Sequence, residues 1–267
     1  MNKLVTVTDN NIIESLKNCS DVTLLYPLKE YCVGYDLTFN IEDISDYVLI
    51  NRLLNDEELD NLDIILKKKN IKGIVFDDLG IIDIVKDYSF KKILLLDHIA
   101  CNSQSINYYL DYADSVVVSN DLTKDEIINI ISNVKKKLVI NVFSLKTLMY
   151  SRRNLLTNYE KYHKLNLKEK LDVKIEDAKF KVIENKYGTK FYAYPYYNAL
   201  ELLELDNVLY FWYDPIYLSS EEIINLVINN DVKNISTTPL FLDKKTYYKV
   251  GDKNAWITCT SWWFWTP

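Results

Sequence analysis

Arginine, glycine, proline and histidine are all scarce in this chain of 267 residues. It has five glycines, five prolines, two histidines and, among 32 basic residues, only three arginines. With so little glycine, the phosphate-cradling signatures G-x-G-x-x-G and G-x-x-x-x-G-K-[ST] do not occur, and H-E-x-x-H and G-x-S-x-G are missing too. His98 and His163 lie far apart in sequence, which argues against a His-rich metal centre and leaves only a carboxylate site open. Cys19, Cys32, Cys101 and Cys259 form no C-x-x-C pair and no zinc-like spacing with histidine, so reduced and mostly buried thiols are expected.

Positive charge is also short. The formal net charge is −6, and the longest basic blocks are KKK at 67–69 and 135–137. That excludes the broad basic footprint of an autonomous nucleic-acid binder but permits a local basic pocket. The opening MNKLVTVTDNN has no apolar run of signal-peptide length, and no stretch of about 18 apolar residues follows, so a soluble cytoplasmic protein is expected.

The chain is rich in Ile, Asn, Lys and Tyr, as when codons avoid G and C. Lysine is then the default cation, and a retained arginine points to a need for a planar, two-pronged donor that pairs with carboxylate or phosphate.

Short β-branched runs alternate with amphipathic stretches, the pattern of a parallel sheet with crossover helices. Eight strands are predicted: Leu4 to Thr8, Val22 to Tyr26, Tyr47 to Asn51, Gly73 to Asp77, Ile93 to Asp97, Ser115 to Ser119, Leu138 to Phe143 and Val208 to Tyr213. Runs such as YVLIN, ILLLD and SVVVS are apolar throughout, as in strands buried on both faces. In TKDEIINIISNVKKK, Thr123 and Glu126 read as a capping box and the lysines as closing the negative helix end, and Ser219 with Glu222 repeats the box. The expectation is an α/β fold, a (β/α)8 barrel of TIM type, with a doubly wound open sheet as the alternative.

Residues 1–267 read as one barrel domain. The rhythm breaks over 151–206, where a helix through NLLTNYEKYHKLN and a hairpin turning at YGT suggest an insertion after strand seven. Residues 231–267 read as a closing segment, its AWITCTSWWFWTP end carrying four of the five tryptophans as core or interface.

Ligands of parallel α/β folds lie beyond the carboxyl ends of the strands. Asn51 and Arg52, Asp77 and Asp78, Asp97 and His98, Asn120 and Asp121, Tyr150 to Arg153, and Asp214 occupy those positions, so all three arginines fall on one face. Arg52, Arg152 and Arg153 are candidates to hold an anion, with a structural ion pair to Asp77, Asp78 or Asp97 as the alternative. Asn51, Asp78, Asn102, Ser119 and Tyr150 complete the candidate ligand set, although a single Asp or Asn there is as often a helix cap or turn residue. His98 is the candidate acid or base, and His98 with Cys101 is the one local histidine–thiol pair.

The run DHIACNSQSINYYLDYADSVVVSNDLTKDEI and the later VFSLKTLMYSRRNLLTNY resemble the collagenase-like U32 peptidase family. Its members carry Asn-Ser after strand five, a Val-Val-Leu-Ser-x-Glu-Leu-Thr-x-x-Glu-Ile run at strand six and Pro-Leu-Met-x-Ser-Arg after strand seven. VLINRLLNDEELDNL, GIVFDDLGIIDIV, the stretch from Lys181 to Tyr197 and TTPLFLDKKTYYKV are similar to further family segments. The resemblance implies a TIM-type barrel. It also implies either a peptidase or a role in hydroxylation, including that of the tRNA wobble uridine, where several relatives use a four-cysteine iron–sulfur cluster.

This chain departs from that pattern. Only Cys259 lies in its second half, so an iron–sulfur cluster is not expected, and at strand six the acidic residue is shifted in Ser119-Asn120-Asp121-Leu122. It resembles a short form of the family that acts beside a longer relative. The expected function is a subunit in tRNA uridine hydroxylation that binds an anionic small molecule or RNA phosphate. A peptidase or a non-catalytic scaffold are the alternatives, so enzymatic status stays open; no cofactor and no membrane partner are expected.

Overall fold

The apolar runs become the staves of a closed parallel barrel. The structure is a computed structural model that describes residues 1–166, 170–175 and 178–243. In chain order, β1 (Lys3–Thr6) leads to α1 (Asn10–Leu16), β2 (Val22–Pro27), β3 (Tyr47–Ile50), α2 (Asp56–Leu66), β4 (Gly73–Phe76) and α3 (Ile81–Val85). Then come β5 (Lys91–Leu95), α4 (Ser103–Tyr109), β6 (Ser115–Val118), α5 (Lys124–Asn133) and β7 (Leu138–Ser144). An excursion follows, of β8 (Thr147–Ser151), α6 (Leu155–His163), β9 (Lys170–Ile175), β10 (Ala178–Asn185), β11 (Gly188–Tyr194) and β12 (Tyr196–Asn198). The chain returns as β13 (Val208–Asp214), α7 (Ser220–Asn229) and β14 (Thr237–Thr238).

Each of β1 to β6 pairs in parallel with the next, and β13 pairs in parallel with both β7 and β1, which closes an eight-stranded barrel. The expected (β/α)8 fold is the observed one, and closure excludes the open sheet. Every residue of β1, β3, β4, β6 and β7 is buried, because one face of each strand fills the barrel and the other lies under helices. Between β2 and β3 a 3-10 turn at Ile41–Asp43 stands in for a helix.

Both expected capping boxes form, Thr123 with Glu126 and Ser219 with Glu222, and Asn55 with Glu58 makes a third at the start of α2. The lysines after α5 do not close that helix, which ends at Asn133 with Val134 extended. Lys136 Nζ instead donates to the Leu110 and Ala113 carbonyl oxygens just after α4, at 2.6 and 2.8 Å, so these lysines serve the neighbouring helix end.

The excursion after β7 is larger than a hairpin. β8, β11, β10 and β9 form a four-stranded antiparallel sheet in that order, so Thr147–Ser151 is a strand that sequence patterning does not mark. The YGT turn forms as expected: Gly188 has φ +136°, and a Cβ there would stand 2.1 Å from the Ser151 carbonyl oxygen. Buried Glu184 fastens α6 to this sheet, accepting from the Leu156 and Thr157 amides at 2.7 and 3.0 Å and from the Thr189 hydroxyl at 2.7 Å.

β12 runs antiparallel to β7 and carries the short β14 in parallel. The remainder of the expected closing segment, with the tryptophan-rich end and Cys259, lies outside the described residues. Among the described residues no helix is long and apolar enough to cross a membrane.

Candidate functional site

The barrel is open at the carboxyl ends of its strands, and the small sheet leans over that mouth. Between them is a cavity of about 380 Å³. Strand ends supply Asn51, Asp77, Asp97 and Asp214 to its lining, the middle of β7 supplies Asn141, and the small sheet supplies Tyr150, Lys190 and Tyr192. Leu95, Val117, Leu145 and Leu148 form apolar walls.

The three arginines do not converge on an open anion site. Arg52 is 4% exposed; its Nε donates to the Glu30 carbonyl oxygen at 2.7 Å, its Nη2 donates to Glu58 Oε1 at 2.7 Å, and its guanidinium lies 4.4 Å from the Tyr187 ring centre. Arg152 is half-exposed, with Nη2 4.0 Å from the other Glu58 oxygen. Arg153 is exposed and makes no ion pair within 4.0 Å among the described residues. A structural ion pair of Arg52 therefore forms, but with Glu58 and not with Asp77, Asp78 or Asp97. Burial pushes the Glu58 carboxyl up, and bonds from Arg52 and the Asn55 amide outweigh that and hold it below the usual range.

Several other candidates are engaged by their own backbone. Asn51 lines the cavity but exchanges two bonds with Val33, accepting from its amide at 2.8 Å and donating to its carbonyl oxygen at 3.0 Å. Asp78 accepts from the Leu54 amide at 2.7 Å and the Gly80 amide at 2.8 Å, and Asn102 caps α4 by accepting from the Ser105 amide at 2.9 Å. Buried Ser119 accepts from the Asp121 amide at 3.2 Å. Tyr150 lines the cavity, donates to the Tyr187 carbonyl oxygen at 3.0 Å, and has its phenol pushed up to about 12 by burial.

His98 sits at the cavity edge with its side chain 64% exposed and Nδ1 3.3 Å from Asp121 Oδ2. Lys146 holds the other Asp121 oxygen at 2.8 Å. The Cys101 thiol faces the His98 carbonyl oxygen at 3.5 Å, so its hydrogen bond goes to the backbone and the two side chains do not form a nucleophile–base pair.

The iron–sulfur cluster of related proteins has no fit among the described residues. Cys32 is buried with its thiol bonded to the Leu49 carbonyl oxygen at 3.0 Å and pushed up to about 12 by burial, and Cys19 and Cys101 each face other backbone carbonyls. No cluster of three His, Cys, Asp or Glu side chains among the described residues is placed to hold a metal ion.

Unpaired polar groups lie deeper, where Asp77, Asp214, Lys190 and Tyr192 meet. Burial pushes Asp77 up to about 7, with the Lys190 charge opposing and Asp78 and Asp97 adding to the rise. Burial likewise pushes Asp214 up to about 6, although Tyr35 donates to its two oxygens at 3.1 and 3.0 Å. Asp77 Oδ1 and the Tyr192 hydroxyl are shielded from solvent and find no hydrogen-bond partner among the described residues. Lys190 is 7% exposed and makes no ion pair within 4.0 Å among the described residues. Two buried carboxyls that titrate near neutrality beside an unpaired ammonium are the arrangement of a ligand or proton-transfer site.

Sequence reasoning placed Asp77, Asp97 and Asp214 after their strands, where each alone reads as a cap. It missed Lys190 and Tyr192. The available signal was the alternation in GTKFYAY, which puts Lys190 and Tyr192 on one face of β11.

A model of peptidase family U32 matches residues 39–170, about half of the chain. No curated protein matches its sequence. Among solved structures, one similar chain is ydhD of Bacillus subtilis, described as a proposed sporulation-specific glycosylase, at 10% identity and a TM-score of 0.29 over 73% of this chain and 81% of that one.

Proposed function

The chain belongs to peptidase family U32, and from that premise we propose that it is a cytoplasmic ligand-binding subunit in the hydroxylation of tRNA wobble uridine, working beside a longer relative. Its single domain uses the barrel mouth to hold a small molecule with an anionic group. Lys190 takes that group inside the cavity, and Arg152, free of a close ion pair, extends the positive edge outward. The observation that supports this most is a buried ammonium with no ion-pair partner among the described residues, in a cavity of about 380 Å³, the scale of a small-molecule site. The acidic balance of the chain leaves most of the RNA contact to the partner.

A peptidase reading has weaker support. Cleaving a peptide bond requires an activated nucleophile or metal-bound water, and the His98–Cys101 geometry gives no such pair. A non-catalytic scaffold would keep the cavity but have no need of carboxyls that titrate near neutrality.

Mass spectrometry of tRNA from a strain lacking this gene is the direct test. Loss of wobble-uridine hydroxylation, restored by the wild-type gene and not by Lys190→Met, is the expected result. Unchanged hydroxylation in the deletion strain sinks the proposal. Cleavage of gelatin or casein by the purified chain would move the reading to peptidase.

A further inference from the structure

The barrel mouth carries charges that the protein itself leaves unmatched, and their signs restrict what can enter. Asp77, Asp97 and Asp214 line the cavity against a single ammonium, Lys190, so the cavity is net negative when all are ionised. Three hydrogen-bonding groups wait there. Among the described residues, Lys190 and the Tyr192 hydroxyl are donors without acceptors, and Asp77 Oδ1 is an acceptor without a donor. Tyr192 is 2% exposed, so bulk water does not satisfy its hydroxyl.

Three simple ligands fail this pattern. A plain carboxylate satisfies Lys190 and Tyr192 but leaves Asp77 Oδ1 bare and adds negative charge to an already negative cavity. A plain amine satisfies Asp77 and leaves Lys190 unpaired. A metal ion needs closely gathered ligands, and the described carboxylates are not gathered in that way. A molecule with an anionic and a cationic end meets all three groups. The walls of Leu95, Val117, Leu145 and Leu148 then favour an apolar remainder.

We propose that the barrel mouth binds a small zwitterion, an α-amino acid with an apolar side chain. Its carboxylate lies against Lys190 and the Tyr192 hydroxyl, and its ammonium against Asp77 Oδ1. This rests on the reading of the mouth as a ligand site and names the ligand class for it.

Isothermal titration calorimetry of the full chain tests the assignment. The probes are leucine, isoleucine, valine, methionine and phenylalanine, together with 4-methylpentanoate, which is leucine without its amine, and 3-methylbutylamine, which is leucine without its carboxylate. At least one amino acid is expected to bind, and loss of either charged group to weaken binding by about tenfold or more. Lys190→Met and Asp77→Asn should each weaken it by about tenfold, and Tyr192→Phe by less. Binding near pH 7 should release protons, because a ligand ammonium favours the ionised form of Asp77; titrations in buffers of different ionisation heat read this out.

Two results overturn the inference: 4-methylpentanoate binding as tightly as leucine with proton uptake, or no binding by any amino acid at millimolar concentration. Should the variants fail to fold, the wild-type panel and its proton release still decide. Neither result touches the tRNA measurement, and unchanged tRNA hydroxylation with amino-acid binding intact would remove the hydroxylation role alone.

Discussion

Replacing Arg52 with alanine separates a structural arginine from a ligand-binding one. The guanidinium is 4% exposed and makes a charge-assisted bond to Glu58 at 2.7 Å, a bond to the Glu30 carbonyl oxygen at 2.7 Å, and a stacked contact with Tyr187 at 4.4 Å. A bond to a charged group contributes about 1.5–3 kcal/mol, and a partly desolvated cation over an aromatic ring about 0.5–2 kcal/mol. These contributions overlap, and Glu58 keeps some solvent, so Arg52→Ala is expected to cost about 3 kcal/mol. In a chain of this size that lowers the melting temperature by roughly 6–12 °C. Arg52→Lys keeps the charge but loses the fork, so it should fall about midway. A double-mutant cycle with Glu58→Gln should return a coupling of about 1 kcal/mol or more, measured by urea denaturation. A melting temperature within about 2 °C of wild type for Arg52→Ala would refute the structural reading and return Arg52 to the anion-site candidates.

Three further outcomes follow from the same geometry. Asp77 held up near 7 keeps its proton in the folded chain where the unfolded chain has lost it, so stability falls as pH rises from about 4 to about 7. Asp77→Asn removes that fall and should stabilise the chain at pH 8 by up to ~4 kcal/mol; urea midpoints at pH 5 and pH 8 that shift as in wild type would contradict this. Gly34 has φ +98°, and a Cβ there would stand 2.1 Å from the Tyr192 hydroxyl, so Gly34→Ala should cost about 1–3 kcal/mol in thermal melts. Adding Tyr192→Phe should recover part of that loss, and no recovery would locate the cost in the backbone alone. Glu184→Gln removes the charge that holds the α6 amides and the Thr189 hydroxyl, and about 2 kcal/mol of local stability with it. Faster amide exchange over residues 155–163 relative to the barrel strands is the expected signature.

The sequence by itself determined the strands and the helices between them, while closure into a barrel came from the pairing of β13 with both β7 and β1. Eight apolar runs, the Thr123–Glu126 and Ser219–Glu222 capping boxes and the YGT turn are local signals, because side-chain period, cap chemistry and positive-φ glycine act over a few residues. It also marked the face on which a site would lie, since polar residues after parallel strands must collect at one mouth. Only the tertiary structure decided which of those residues are spent on the fold and which are left over. Arg52 is consumed by Glu58 from the start of α2, Asp78 by two amides, and Asn51 by Val33, while Asp77, one residue from Asp78, keeps an Oδ1 with no partner among the described residues. Lys190 and Tyr192 reach the mouth only because β11 pairs with β8 directly after β7 and leans over the strand ends. Whether a charge is paired, and what burial does to its protonation, depends on groups brought together from distant segments, and no local periodicity records that.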